Sequence, residues 1–206
     1  MKIILVRHTR VAVPRGTCYG WTDVPVADTF EAEAAVTKKN LEPYGQMDAV
    51  FSSPLTRARK LAAYCGYPTP QTDDRLKEMN MGQWEMQRYD DIADPYLKAW
   101  YEDYLRLPTP DGESFMMQYE RVAAFLEELL QKSYQQVAIF AHAGVLVAAG
   151  VFEKMGRMGN MGLMGDMGTI GTIETIETIE TIETITTMRE AWHHITDYGG
   201  IKEINL

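Results

Sequence analysis

Apolar residues in this chain come in short unbroken blocks separated by amphipathic stretches, and the two patterns predict different elements. Residues 2–6 (KIILV) place four aliphatics behind one lysine, without polar alternation. Such a block predicts a strand covered on both faces, the kind found in parallel sheets. MDAVFSS (47–53) and QVAIFA (136–141) repeat it, and GGIKEINL (199–206) alternates as a last strand. Between them, residues 29–41, 54–65, 95–106 and 114–132 predict helices. Thr29 and Ser114 are their candidate N-caps, Pro54 stands at a first helical position, and Pro43 lies just beyond an end. Residues 142–152 turn from the third block into another helix, while 9–28 and 68–88 read as loops. Strands alternating with helices predict an α/β layered fold.

Residues 155–188 break this order. Met or Ile recurs at every third position from Met155 to Met188, with Gly and then Glu following it in most triplets. A step of three falls about 60° short of a helical turn, so the apolar positions drift around the whole circumference. On a strand, the same period sends alternate isoleucines to opposite faces. The expectation is a low-complexity insertion into one domain spanning 1–206, lying outside its core.

Composition narrows the function. Hydrophobic residues make up 46% and charged residues 24%, an ordinary globular balance. A net charge of -9 argues against nucleic acid as a partner. No apolar run reaches the ~20 residues of a membrane span, so no membrane partner is expected. Two cysteines, Cys18 and Cys65, suggest neither a disulfide framework nor a metal site, and the cytoplasm is the expected compartment.

Several polar residues stand where apolar strands end. Arg7, His8 and Thr9 follow the first, Arg57 and Arg59 open the helix after the second, and His142 follows the third. Ligands of parallel sheets bind beyond the carboxyl ends of the strands. Arginines and two histidines gathered there suit a phosphoryl group, since guanidinium forks match its oxygens and imidazole can attack phosphorus.

LVRHT, FSSPLTRAR, LKEMNMGQWE and FAHAGV, in this order, resemble the histidine phosphatase superfamily, the phosphoglycerate-mutase-like fold. The resemblance implies a three-layer α/β/α sandwich with a mostly parallel central sheet. It implies a phosphomonoester hydrolase working through phosphohistidine, with His8 as nucleophile. Arg7, Arg57 and His142 would hold the phosphoryl oxygens, and Glu78 would be the acid and then the base. The family needs no metal and no other cofactor, and the partner is a small phosphorylated substrate. Oligomeric state is left open.

The chain departs from the family at Thr9, where glycine is usual, and at Val11 and Pro14. Thr9 is kept as a candidate substrate contact, while Arg10 and Arg15 could compensate or face solvent. His193 and His194 receive no role. RGTCYGWTDVPV (15–26) resembles the α-ribazole phosphatase branch, which acts in cobalamin lower-ligand synthesis. A broad-specificity phosphatase, a phosphoglycerate-mutase-like enzyme and a non-catalytic phospho-ligand or partner-binding member are the alternatives.

Overall fold

A computed structural model describes residues 1–162 and 197–206. Its strands are β1 (Lys2–Arg7), β2 (Ala49–Ser52), β3 (Gln71–Thr72), β4 (Gln136–Ala141) and β5 (Ile201–Asn205). Its α-helices are α1 (Phe30–Leu41), α2 (Thr56–Tyr64), α3 (Tyr96–Glu102), α4 (Phe115–Leu130) and α5 (Ala143–Gly162). The sheet runs β3-β2-β4-β1-β5. β1, β2 and β3 follow β4 in parallel, and among the described strands only β5 is antiparallel, at the edge beside β1.

The unbroken aliphatic run of β1 has the cause its pattern implies. Ile3 and Leu5 pack on one face with α4 and α5 residues such as Leu126, Leu129 and Val147. Ile4 and Val6 pack on the other with Ala34 and Leu41 of α1 and Leu61 and Ala62 of α2. All four β1 aliphatics are fully buried. At ~25 cal/mol per Å² of apolar surface, a two-sided strand contributes more burial per residue than any surface helix. The result is the expected three-layer α/β/α sandwich with a mostly parallel sheet.

Several boundaries differ. The second helix begins at Thr56, so Pro54 precedes it instead of occupying its first position. The reason is tertiary, because Asp23 caps this end from the first loop. Its Oδ1 accepts the Thr56 N–H (2.8 Å) and its Oδ2 the Thr56 hydroxyl (2.5 Å). Thr29 makes no cap bond to the α1 backbone and donates instead to Glu33 Oε1 (2.7 Å). Ser114 does cap α4, accepting from the Met117 N–H.

The 68–88 loop conceals the short edge strand β3, and it buries Leu76, Met79, Met81 and Trp84. Two strand residues are too few to carry a period. α5 starts as expected but runs past residue 152 to Gly162, into the period-three segment. The remainder of that segment, 163–188, and His193 and His194 lie outside the described residues. Among the described residues, no helix is long and apolar enough to cross a membrane. Cys18 and Cys65 are free.

Candidate active site

Strand register brings the candidate residues together. Arg7 pairs with Ala141 across β1 and β4, and Ser52 with Phe140 across β2 and β4. Each ladder continues one residue further, with the His8 N–H donating to Ala141 O (3.0 Å) and the Ser53 N–H to Phe140 O (2.9 Å). His8, His142 and Ser53 therefore leave three adjacent parallel strands at one rim. The two imidazole centroids are 5.1 Å apart.

His8 is 2% exposed. Its Nδ1 lies 2.7 Å from the Thr9 carbonyl, which can only accept, so Nδ1 carries the proton and Nε2 is left with a lone pair. Burial, then the Arg57 and Arg7 charges, hold its pKa down at about 3 against the Thr9 bond. His8 is thus a neutral imidazole with a fixed tautomer, the state a nucleophile requires.

His142 is fully buried, and its pKa is also held well below the usual range, first by burial and then by Arg57. Its Nε2 lies 2.8 Å from Ser53 Oγ, which already accepts the Leu55 N–H (3.3 Å). The Ser53 hydroxyl proton is then free to point at Nε2. That tautomer leaves a proton on His142 Nδ1, a buried atom without a partner. Ser53 was not singled out from the sequence, although the FSSPLTRAR motif contains it.

Arg57, in the first turn of α2, is fully buried. It donates from Nη1 to Thr22 O (3.0 Å) and from Nη2 to Gly20 O (2.6 Å), and its Nε has no partner. Burial lowers its pKa first, and Glu78, Tyr19, Asp23 and Glu85 offset this only in part and through space, so an anion that joins this buried cation is favoured. Glu85 holds the same turn from the other side, accepting the N–H groups of Gly20, Trp21 and Thr22 (2.8–3.2 Å). Gly20 is required there, since a Cβ would come within 1.8 Å of Met79 O. Thr9 is buried with an unpartnered hydroxyl. Arg59, Arg10 and Arg15 are exposed, and Arg10 bonds Glu33, so none of the three joins the site.

Glu78 reaches the site from the loop after β3. Its Oε1 accepts from Gln118 Nε2 (3.0 Å) and from the Gly144 N–H in the first turn of α5 (3.2 Å). Arg121 clamps the loop that carries it. Nη1 donates to Arg75 O and Lys77 O, Nη2 to Glu78 O, and the fork closes on the Glu113 carboxylate. Gln118 and Arg121 escaped the sequence reading. The available signal was one buried amide at position 118 inside the apolar stripe Phe115, Tyr119, Val122, Phe125 of α4. Among the described residues, no cluster of His, Cys, Asp or Glu could hold a metal ion.

Two measurements follow from this geometry. At Gly144 a Cβ would lie 2.4 Å from Gln118 Oε1 and 2.5 Å from Glu78 Oε1, both ends of flexible side chains. Gly144→Ala is expected to keep the fold and displace the Glu78 carboxylate, lowering kcat about tenfold or more while thermal stability changes little. An unchanged kcat would separate Glu78 from the chemistry.

The second concerns acid. His8 and His142 have folded pKa values below the unfolded value near 6.5. Below that pH the unfolded chain takes up protons that the folded chain refuses. Their stabilisation is therefore complete above about 6.5 and is lost as pH falls below it, for His8 until pH reaches about 3, at up to ~1.4 kcal/mol per pH unit. Urea unfolding at pH 7, 6, 5 and 4 is expected to show this decline, and a flat profile would contradict it.

Comparison with known proteins agrees with the geometry. The family model "Histidine phosphatase superfamily (branch 1)" matches residues 3–151. Phosphoserine phosphatase 1 of Hydrogenobacter thermophilus is 27% identical over 146 residues, covering 68% of this chain and 69% of its own. A 2,3-bisphosphoglycerate-dependent phosphoglycerate mutase of Neisseria meningitidis is 27% identical over 188 residues, 72% and 79% of the two chains. The solved phosphoglycerate mutase of Thermus thermophilus superposes with a TM-score of 0.61 at 34% identity, covering 72% and 81%. A candidate α-ribazole-5′-P phosphatase from Escherichia coli superposes with a TM-score of 0.73 over 98% and 89%. It is 22% identical, so it speaks for the fold alone.

Proposed function

This chain belongs to the histidine phosphatase superfamily, branch 1, and on that premise we propose that it hydrolyses phosphomonoesters through a phosphohistidine on His8. The observation that carries the reading is the fully buried Arg57 guanidinium beside two neutral histidines, its Nε unpartnered and the Glu78, Asp23 and Glu85 carboxylates acting on it only through space. A phosphoryl dianion supplies the missing charge.

In the first step the His8 Nε2 lone pair attacks phosphorus. The N–P bond forms as the P–O bond to the leaving group breaks, and the Glu78 carboxyl gives its proton to the departing oxygen. Arg7, Arg57 and the Nδ1 proton of His142 hold the equatorial oxygens, where charge collects in the transition state. Thr9 is a further candidate contact through its buried hydroxyl. In the second step the Glu78 carboxylate takes a proton from water, whose oxygen attacks phosphorus. The N–P bond breaks, phosphate leaves and His8 is restored.

For the substrate we propose α-ribazole 5′-phosphate. The support is the Y-G-x-x-D-x-P pattern, whose members lie around Arg57 and the start of α2. Tyr19 faces Arg57, Gly20 allows the close approach to Met79, and Asp23 caps α2. A second reading, a phosphoglycerate-mutase-like activity, is favoured by the Neisseria and Thermus relatives. A panel of α-ribazole 5′-phosphate, phosphoserine, 3-phosphoglycerate and sugar phosphates decides between them. The expected result is the highest kcat/KM for the ribazole ester. Mutase turnover of 3-phosphoglycerate exceeding hydrolysis would overturn it in favour of the second reading.

A further inference from the structure

Tyr19 and Tyr198 take no part in the chemistry above, yet they lie against both guanidiniums. The Arg7 Cζ is 4.2 Å from the Tyr198 ring centroid, and the Arg57 Cζ is 5.3 Å from that of Tyr19. The two phenol oxygens meet at 3.3 Å. Arg7, Tyr198, Tyr19 and Arg57 thus form a continuous arch. Tyr198 also stands over the nucleophile, its ring centroid 5.7 Å from that of His8. His8 is 2% exposed and Tyr198 37%, so the arch lies on the solvent side of the buried pocket.

The backbone beside each ring is fixed, whereas the rings are joined by one hydrogen bond. Gly199 donates its N–H to His8 O (3.1 Å), and its carbonyl accepts from Thr37 Oγ1 (2.7 Å). On the other side Glu85 holds the Gly20 N–H. Burial, followed by the Tyr198 bond, pushes the Tyr19 phenol above its usual range, so it remains an O–H. The contact between the rings is a neutral hydrogen bond, of the kind that water can replace at little cost.

We propose that Tyr19 and Tyr198 form the entrance to the phosphate pocket, parting to admit the phosphoryl group and selecting, by their ring surfaces, a leaving group that carries a flat aromatic ring. Arg7 and His8 lie against the Tyr198 ring and Arg57 against that of Tyr19, and the exposed part of Tyr198 is what an arriving leaving group meets. A planar group gains offset stacking there, and a small alkyl group does not. This deepens the phosphomonoesterase reading by naming its substrate class, and it rests on that reading for the identity of the pocket.

The test uses phosphonates, which bind without being hydrolysed. Binding of phenylphosphonate and methylphosphonate is measured by calorimetry on the wild-type chain, Tyr198→Ala and Tyr198→Phe. The wild type is expected to prefer phenylphosphonate. Tyr198→Ala should reduce that preference about threefold to tenfold while leaving methylphosphonate affinity within about twofold. Tyr198→Phe keeps the ring and should keep the preference. Should Tyr198→Ala fail to fold, Tyr19→Leu is read the same way. If Tyr198→Ala weakens both ligands by one factor, or neither, the selective role is wrong and the ring merely supports Arg7. A wild type that binds the phosphonates but releases no phosphate from an aryl ester would sink the hydrolase reading instead.

Discussion

His8→Ala protein is expected to release phosphate from an aryl phosphate on the order of 10⁴-fold or more slowly than the wild type, while still binding inorganic phosphate. The loss is large because no neighbour can replace the nucleophile. Among the described residues the other imidazole is His142, but its Nε2 faces Ser53, and the tautomer that serves the phosphate leaves no lone pair on Nδ1. Binding persists because Arg7, Arg57 and His142 are untouched. Rapid quench of wild-type enzyme with labelled substrate should trap an acid-labile, base-stable phosphoramidate, absent from the variant. A variant with turnover within tenfold of wild type would remove His8 from the mechanism.

Glu78→Gln should divide the reaction into its halves. Glutamine keeps the shape and can still accept from Gly144, but it cannot transfer a proton. Alkyl esters, whose alkoxide leaves poorly, are expected to lose about 10²–10⁴-fold in the first step. Aryl esters need little protonation, so their first step should proceed within about tenfold of wild type. The second step lacks its base whatever the substrate. The expected trace with a nitrophenyl ester is therefore a burst of one phenolate per active site, followed by near arrest. Equal loss of the first turnover on alkyl and aryl esters, without a burst, would show that Glu78 is not the acid.

Much of this site was legible in the chain before any fold was known. A strand buried on both faces must be an unbroken apolar run, so the point where charge resumes marks its end. That rule located Arg7, His8 and His142, and the motif order attached Glu78 to them. The rule failed for β3, because Gln71 and Thr72 are two exposed residues and form a strand only by pairing with Phe51 and Ser52. Placing Pro54 at the first helical position likewise misplaced the start of α2, since the cap comes from Asp23 and not from the helix's own flank. Arg59 shows the limit of proximity in sequence, being two residues from Arg57 yet facing solvent.

The sequence by itself determined four of the five described strands, the α/β layering and which side chains leave the strand ends. Local periodicity and burial are properties of neighbours along the chain, and they are written there directly. Only the tertiary structure decided that β4 lies between β1 and β2, so that His8, His142 and Ser53 meet at one rim. It also decided what holds Glu78 and what covers His8. Gln118 and Gly144 reach Glu78 across 40 and 66 residues, and Tyr19 meets Tyr198 across 179. Such contacts have no period and no local signature. They exist because chain closure brings distant polar atoms into one low-dielectric space, where each must find a partner or await a ligand.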